Sequence, residues 1–106
     1  MITLREHENI GPEAFRDRLA SDPSGVLLDV RTEAEFRSER IPNAINIDVT
    51  DNGFAEAIDS LDKDKTYYVY CRSGGRSNHA CMFMTTQGLK TINLLGGISS
   101  WRGEVI

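Results

Sequence analysis

The sequence has few cysteines, no long apolar run and no basic block, and each absence removes a class of protein. Its two cysteines, Cys71 and Cys81, are too few for a disulfide scaffold. No C-x-x-C occurs, and His7 and His79 complete no recognisable zinc spacing. No metal and no cofactor are therefore expected. The apolar runs are only a few residues long, far short of the ~20 residues a membrane helix needs. Lys and Arg number 12 against 16 Asp and Glu, for a net charge of −4. The electrostatic footprint of a nucleic-acid binder is missing, so neither nucleic acid nor membrane is an expected partner. The opening MITLREHENI lacks the basic and apolar regions of a signal peptide, and a cytoplasmic protein is the expectation.

What is present is an ordinary globular composition. Hydrophobic residues make up 40% and charged residues 26% of the 106 residues. This length fits one domain spanning residues 1–106, which buries roughly 65% of its unfolded surface.

Strand and helix patterns alternate along the chain. Ile2 to Leu4 reads as a short edge strand. Gly11-Pro12 opens a helix carrying Phe15 and Leu19 on one face. Val26 to Val30 is an apolar run with one acid, Asp29, as expected of a buried parallel strand. Thr32-Glu33-Ala34-Glu35 matches a capping box, and Pro42 closes that region. Ala44 to Ile47 is a second strand pattern. Asp51-Asn52-Gly53 is a turn before the helically spaced Phe54, Ile58 and Leu61. Tyr67 to Tyr70 reads as a strand, and Ser77 to Gln87 as a helix stopped by Gly88. Thr91 to Leu95 is a last strand, followed by Gly96-Gly97 and a short helix around Trp101. The alternation predicts an α/β domain with a mainly parallel sheet.

Chemistry concentrates in Cys71-Arg72-Ser73-Gly74-Gly75-Arg76-Ser77, between a strand and a helix. Loops at the carboxyl ends of parallel strands are where such sheets bind ligands. Gly74 and Gly75 let the backbone take positive φ and curl. The following helix adds the positive end of its dipole. An anion-binding nest with a sulfur at its centre is expected. Such a nest favours thiolate over thiol, making Cys71 a nucleophile, and it stabilises negative charge on a terminal sulfur or a bound oxyanion. Arg72 and Arg76 add two cations.

This loop resembles the active-site loop of the rhodanese family, C-x-x-G-x-R followed by Ser. Leu28-Asp29-Val30-Arg31, Glu35-Phe36, Ile41-Pro42 and Ala44 resemble the family's D-V-R…E-[FY]…H-I-P-G-A stretch. Leu95-Gly96-Gly97-Ile98…Trp101 resembles its closing L-x-G-G motif and tryptophan. The likeness runs from about Val26 to Trp101. It implies a three-layer domain with a five-stranded, mainly parallel sheet flanked by helices. It implies a persulfide on Cys71, cradled by the amides of Arg72, Ser73, Gly74, Gly75, Arg76 and Ser77. By the same resemblance the side chains of Arg72 and Arg76 hold an anionic sulfur donor. Glu39-Arg40 stands where the family has Gly-His, and Asn43 where it has glycine.

The remaining polar residues read as structural. Asp29 is expected to accept backbone hydrogen bonds, including some from the catalytic loop, in a supporting role. Arg31, also supporting, is expected to pair with Glu35 unless Glu35 serves its capping box. Ala80, Cys81 and Met84 form one helical stripe, so Cys81 is expected in the core. His79 lies off that stripe, towards solvent. Met82, Phe83 and Met84 read as helix packing, and Trp101 as packing for the final helix.

The expected reaction moves a sulfane sulfur from thiosulfate or a persulfide donor to a thiophilic acceptor such as cyanide, glutathione or a protein thiol. A covalent intermediate makes it ping-pong. Two rivals stay open. One is a non-catalytic or partner-dependent module, acting as sulfur carrier or regulatory binder. The other is a cysteine phosphatase or arsenate reductase. Those enzymes are typified by C-x5-R, whereas Cys71 to Arg76 is C-x4-R, and no acid is evidently placed to protonate a leaving alcohol.

Overall fold

The computed structural model describes residues 6–106. Five strands and five helices alternate: β1 (Glu8–Ile10), α1 (Pro12–Ala20), β2 (Val26–Asp29), α2 (Glu33–Ser38), β3 (Ile45–Asn46), α3 (Phe54–Asp59), β4 (Thr66–Tyr70), α4 (Gly75–Thr86), β5 (Lys90–Leu94) and α5 (Gly97–Ser100). The edge strand expected at Ile2 to Leu4 lies outside the described residues. The strand observed at the edge is β1, which pairs with β5 from Glu8–Ile92 to Ile10–Leu94.

All four strand pairings are parallel, in the order β1-β5-β4-β2-β3. The sheet is thus wholly rather than mainly parallel. Parallel strands need helices on both faces, and the two-residue alternation of strand side chains sorts the core accordingly. Leu28, Val30, Tyr67, Val69 and Cys71 share one face with Phe54 and Ile58 of α3 and Ala80, Cys81 and Met84 of α4. Leu27, Tyr68, Tyr70, Ile92 and Leu94 share the other with Phe15 of α1 and Ile98 of α5. Phe15 is fully buried and meets Tyr68 edge-on at 5.6 Å and Trp101 edge-on at 6.2 Å between centroids. Trp101 therefore packs, as expected, although α5 ends one residue before it.

Two other expectations shift. Helix α4 starts at Gly75, two residues before the predicted Ser77, because glycine at a first helical turn carries no propensity signal. Only Gly74 of the two loop glycines takes positive φ, at 102°. On α4, Met84 is buried and Phe83 packs on Phe54. Met82 instead points outward at 54% exposure, since 3.6 residues per turn carry it off the 80–81–84 stripe. Gly88 terminates the helix at φ 85° as predicted. Asn43, where glycine was the family habit, takes φ 72°. Asparagine is one of the few side chains that tolerates this.

At the carboxyl end of β2 lies a buried ion pair. Asp29 and Arg31 are 0% and 2% exposed. Arg31 donates to the Asp29 carboxylate from its backbone N at 2.9 Å, from Nε at 3.1 Å and from Nη2 at 2.7 Å. Nη2 also donates to the Glu39 carbonyl at 2.6 Å. Asn46 Nδ2 donates to the carbonyls of Asp29 and Arg31. These bonds tie β2 and β3 to both ends of α2.

Removing one partner of a buried pair strands the other charge. Arg31→Met is therefore expected to lose about 3–5 kcal/mol of unfolding free energy in urea titrations. The double variant Asp29→Leu, Arg31→Met is expected to lose less than the single, since no charge is left stranded. An equal or larger loss in the double would contradict this account.

Candidate active site

Cys71 is the first residue after β4. Alternation places its side chain on the α3–α4 face, and the residue is 1% exposed. The backbone then reverses through Gly74 and enters α4 at Gly75. A side chain at Gly74 would be conformationally strained, and its Cβ would meet the Gly96 nitrogen at 3.3 Å.

The turn aims donors at the sulfur. Gly74 N–H donates to Cys71 Sγ at 3.0 Å, and Ser77 Oγ donates to it at 3.3 Å. The amides of Ser73 and Ser77 add to the same cluster. The carbonyls that would oppose them are turned away. Cys71 O accepts from Ile98 N at 2.9 Å, and Arg72 O accepts from Ser99 N at 3.0 Å. That arrangement requires Gly97: at φ 60°, an added Cβ would lie 2.4 Å from Arg72 O.

The electrostatic consequence follows from two opposed effects. Burial pushes the Cys71 thiol up. Donation from the Ser77 hydroxyl and from the amides of Ser77, Gly74 and Ser73 outweighs it, and the net pKa is lowered. Cys81 lies in the same core cluster without a cradle of amides, and the Thr91 hydroxyl offsets its burial only in part. Burial pushes its thiol up to about 12, which leaves it protonated at neutral pH. Its expected place in the core is what the structure shows, at 0% exposure.

The side chains of both loop arginines reach Glu35. Arg76 grips the carboxylate with both terminal nitrogens, at 2.7 and 2.9 Å. Arg72 Nε lies 3.4 Å from the same carboxylate, with 63% of its side chain exposed. Glu35 reaches them because its capping box is intact. Thr32 Oγ1 accepts from Glu35 N at 3.3 Å, and Thr32 N donates back to Oε1 at 3.2 Å. Arg76 foremost holds the Glu35 carboxyl well below the usual range. Partial burial opposes it, and the Thr32 amide and hydroxyl reinforce it. The sequence offered Glu35 either Arg31 or its capping box as partner, and not the loop arginines. The signal for more was the pair of guanidinium groups in one short loop, which favour a nearby carboxylate.

Asp29 accepts a nearby backbone N–H as expected, from Arg31 at 2.9 Å. Its side-chain partners are Arg31 and the Tyr70 hydroxyl, with no hydrogen bond to the 71–77 loop among the described residues. Strand alternation explains this: Asp29 pairs in register with Tyr70, so both face α1 and α5 while Cys71 faces α4. Arg31 pairs with Asp29, not Glu35. His79 is exposed. Among the described residues no group of three His, Cys, Asp or Glu stands ready to hold a metal.

Comparison with known proteins agrees with this geometry. A family model described as "Rhodanese-like domain" matches residues 11–104. A putative sulfurtransferase of Bacillus subtilis is 38% identical, with 93% of this chain and 94% of the relative covered. A thiosulfate sulfurtransferase of Pseudomonas savastanoi is 30% identical, with 93% and 91% covered. Among solved structures, a rhodanese-related protein of Thermoplasma volcanium superposes with a TM-score of 0.83 at 30% identity, covering 94% of this chain and 98% of that one.

A thiol with a lowered pKa reacts faster at neutral pH, because a larger fraction is thiolate. Alkylation of Cys71 by iodoacetamide is expected to rise with pH through a midpoint below that of free cysteine. Ser77→Ala removes the hydroxyl donor, so its midpoint moves up and its rate at pH 7 falls several-fold. An unchanged profile would remove Ser77 from the account.

Proposed function

The chain belongs to the rhodanese-like domain family and is a sulfurtransferase, and on that premise we propose that it works through a persulfide on Cys71. The observation that carries this is the convergence of the Gly74 amide and Ser77 hydroxyl on Cys71 Sγ. The amides of Arg72 to Ser77 form the cradle.

The Cys71 thiolate attacks the outer sulfur of a small anionic donor, thiosulfate or a persulfide. A sulfur–sulfur bond forms to Cys71. The donor's own bond to that sulfur breaks, and sulfite or a thiolate leaves with the electron pair. The charge now sits on the terminal sulfur of Cys71, where donors built for a thiolate can follow it. An acceptor thiolate then attacks that terminal sulfur, and the Cys71 thiolate departs. Sulfite and thiolates leave as stable anions, so no general acid is needed. Asp29 and Arg31 support the site by holding α2.

The same reading places the protein in the cytoplasm as one domain over residues 1–106, without nucleic-acid or membrane partners. A reducing compartment suits two free thiols, and no described helix is long and apolar enough to cross a membrane.

Incubation with thiosulfate is expected to raise the intact mass by about one sulfur atom. The gain should reverse on adding dithiothreitol and be absent in Cys71→Ser. Cys81→Ala should retain both the gain and turnover within about twofold, as a buried core thiol would. A persulfide that forms but passes to no small thiol would point to a protein acceptor. A mass gain persisting in Cys71→Ser would overturn the reading.

A further inference from the structure

Of the two cations in the loop of the proposed nucleophile, Arg76 is held by a carboxylate and Arg72 lies beside the same one. Both oxygens of Glu35 bind Arg76, and Oε2 is also 3.4 Å from Arg72. The Glu35 side chain is 19% exposed and that of Arg76 33%, so the bidentate pair is partly shielded from water. The stabilisation of Cys71 comes first from a neutral hydroxyl and neutral amides, with Arg76 close enough for its charge to be felt. A layer of uncharged donors therefore lies against the sulfur, and an ion cluster centred on Glu35 lies beside it.

This has a consequence for the choice of donor. A dianion such as thiosulfate gains most from a free guanidinium. To use Arg72 or Arg76 here it must displace Glu35 or approach against its charge. A donor with a single negative charge has less to gain from them and meets less repulsion. We infer that Glu35 is a specificity-setting positioning residue, which withholds Arg72 and Arg76 from dianionic donors and biases the enzyme towards singly charged sulfane donors. The inference rests on the Cys71 persulfide reading.

The cluster is suited to a clean test. Glu35→Gln removes the charge yet keeps the capping box, since glutamine serves equally at that position. The donors compared are thiosulfate and methanethiosulfonate. Each presents one transferable sulfur, and a methyl group in the second replaces one charged oxygen of the first. In each case the Cys71 thiolate takes the outer sulfur, and sulfite or methanesulfinate leaves with the bonding pair.

Glu35→Gln is expected to raise kcat/KM for thiosulfate about tenfold, the worth of a newly available charge-assisted hydrogen bond. The change should appear mainly in KM and shrink at high salt. For methanethiosulfonate the gain should be about twofold or less. An unchanged ratio of the two donors, or an equal fall in kcat for both, would show that Glu35 only holds the loop, and would overturn this inference alone. Failure of the native protein to take sulfur from either donor would overturn it together with the persulfide reading.

Discussion

In the turn between β4 and α4, the backbone carbonyls point one way and the amides the other, and the site depends on that separation. A peptide chain carries equal numbers of both groups, so a cluster of amides around one sulfur needs carbonyls removed elsewhere. Here Ile98 N and Ser99 N accept that task, drawing off Cys71 O and Arg72 O at 2.9 and 3.0 Å. Gly97 allows the approach and Gly74 allows the reversal. The closing glycine motif near the chain's end is thus part of the same device as the loop around Cys71, though more than twenty residues apart.

Around this neutral cradle the charges are kept in pairs. Asp29 and Arg31 neutralise each other in full burial. Glu35 closes on Arg76 and Arg72 nearer the surface. The two clusters are connected through α2, whose start carries the Thr32–Glu35 box and whose end supplies the Glu39 carbonyl to Arg31. Helix α2 buries no residue completely. Its place comes from polar bonds at its ends rather than from an apolar face. A short helix held in that way serves to position a carboxylate more than to build a core.

Much of the architecture was legible in the chain itself. The apolar runs, the capping box, the stripe of Ala80, Cys81 and Met84 and the glycine at position 88 each act through local geometry, and each was read correctly. Other features depended on how one period is resolved against another element. Whether Asp29 faces Cys71 or Tyr70 depends on the strand register. Whether Arg31 meets Asp29 or Glu35 depends on how the chain bends between β2 and α2. Met82 looked like packing because its neighbours pack, and only its angle around α4 sends it outward.

The sequence alone determined that a thiol would end a strand, beside a glycine turn and a helix start, because those signals are short-range. It also determined the family resemblance, because the motifs are contiguous. The tertiary structure alone decided what surrounds that thiol. Donors from residues 73, 74 and 77 converge on it only when α5 holds the opposing carbonyls. The two arginines that looked like ligands for sulfur are claimed by Glu35, which lies some forty residues earlier in the chain. Electrostatic partners are chosen by distance in space, and that distance is set by the fold.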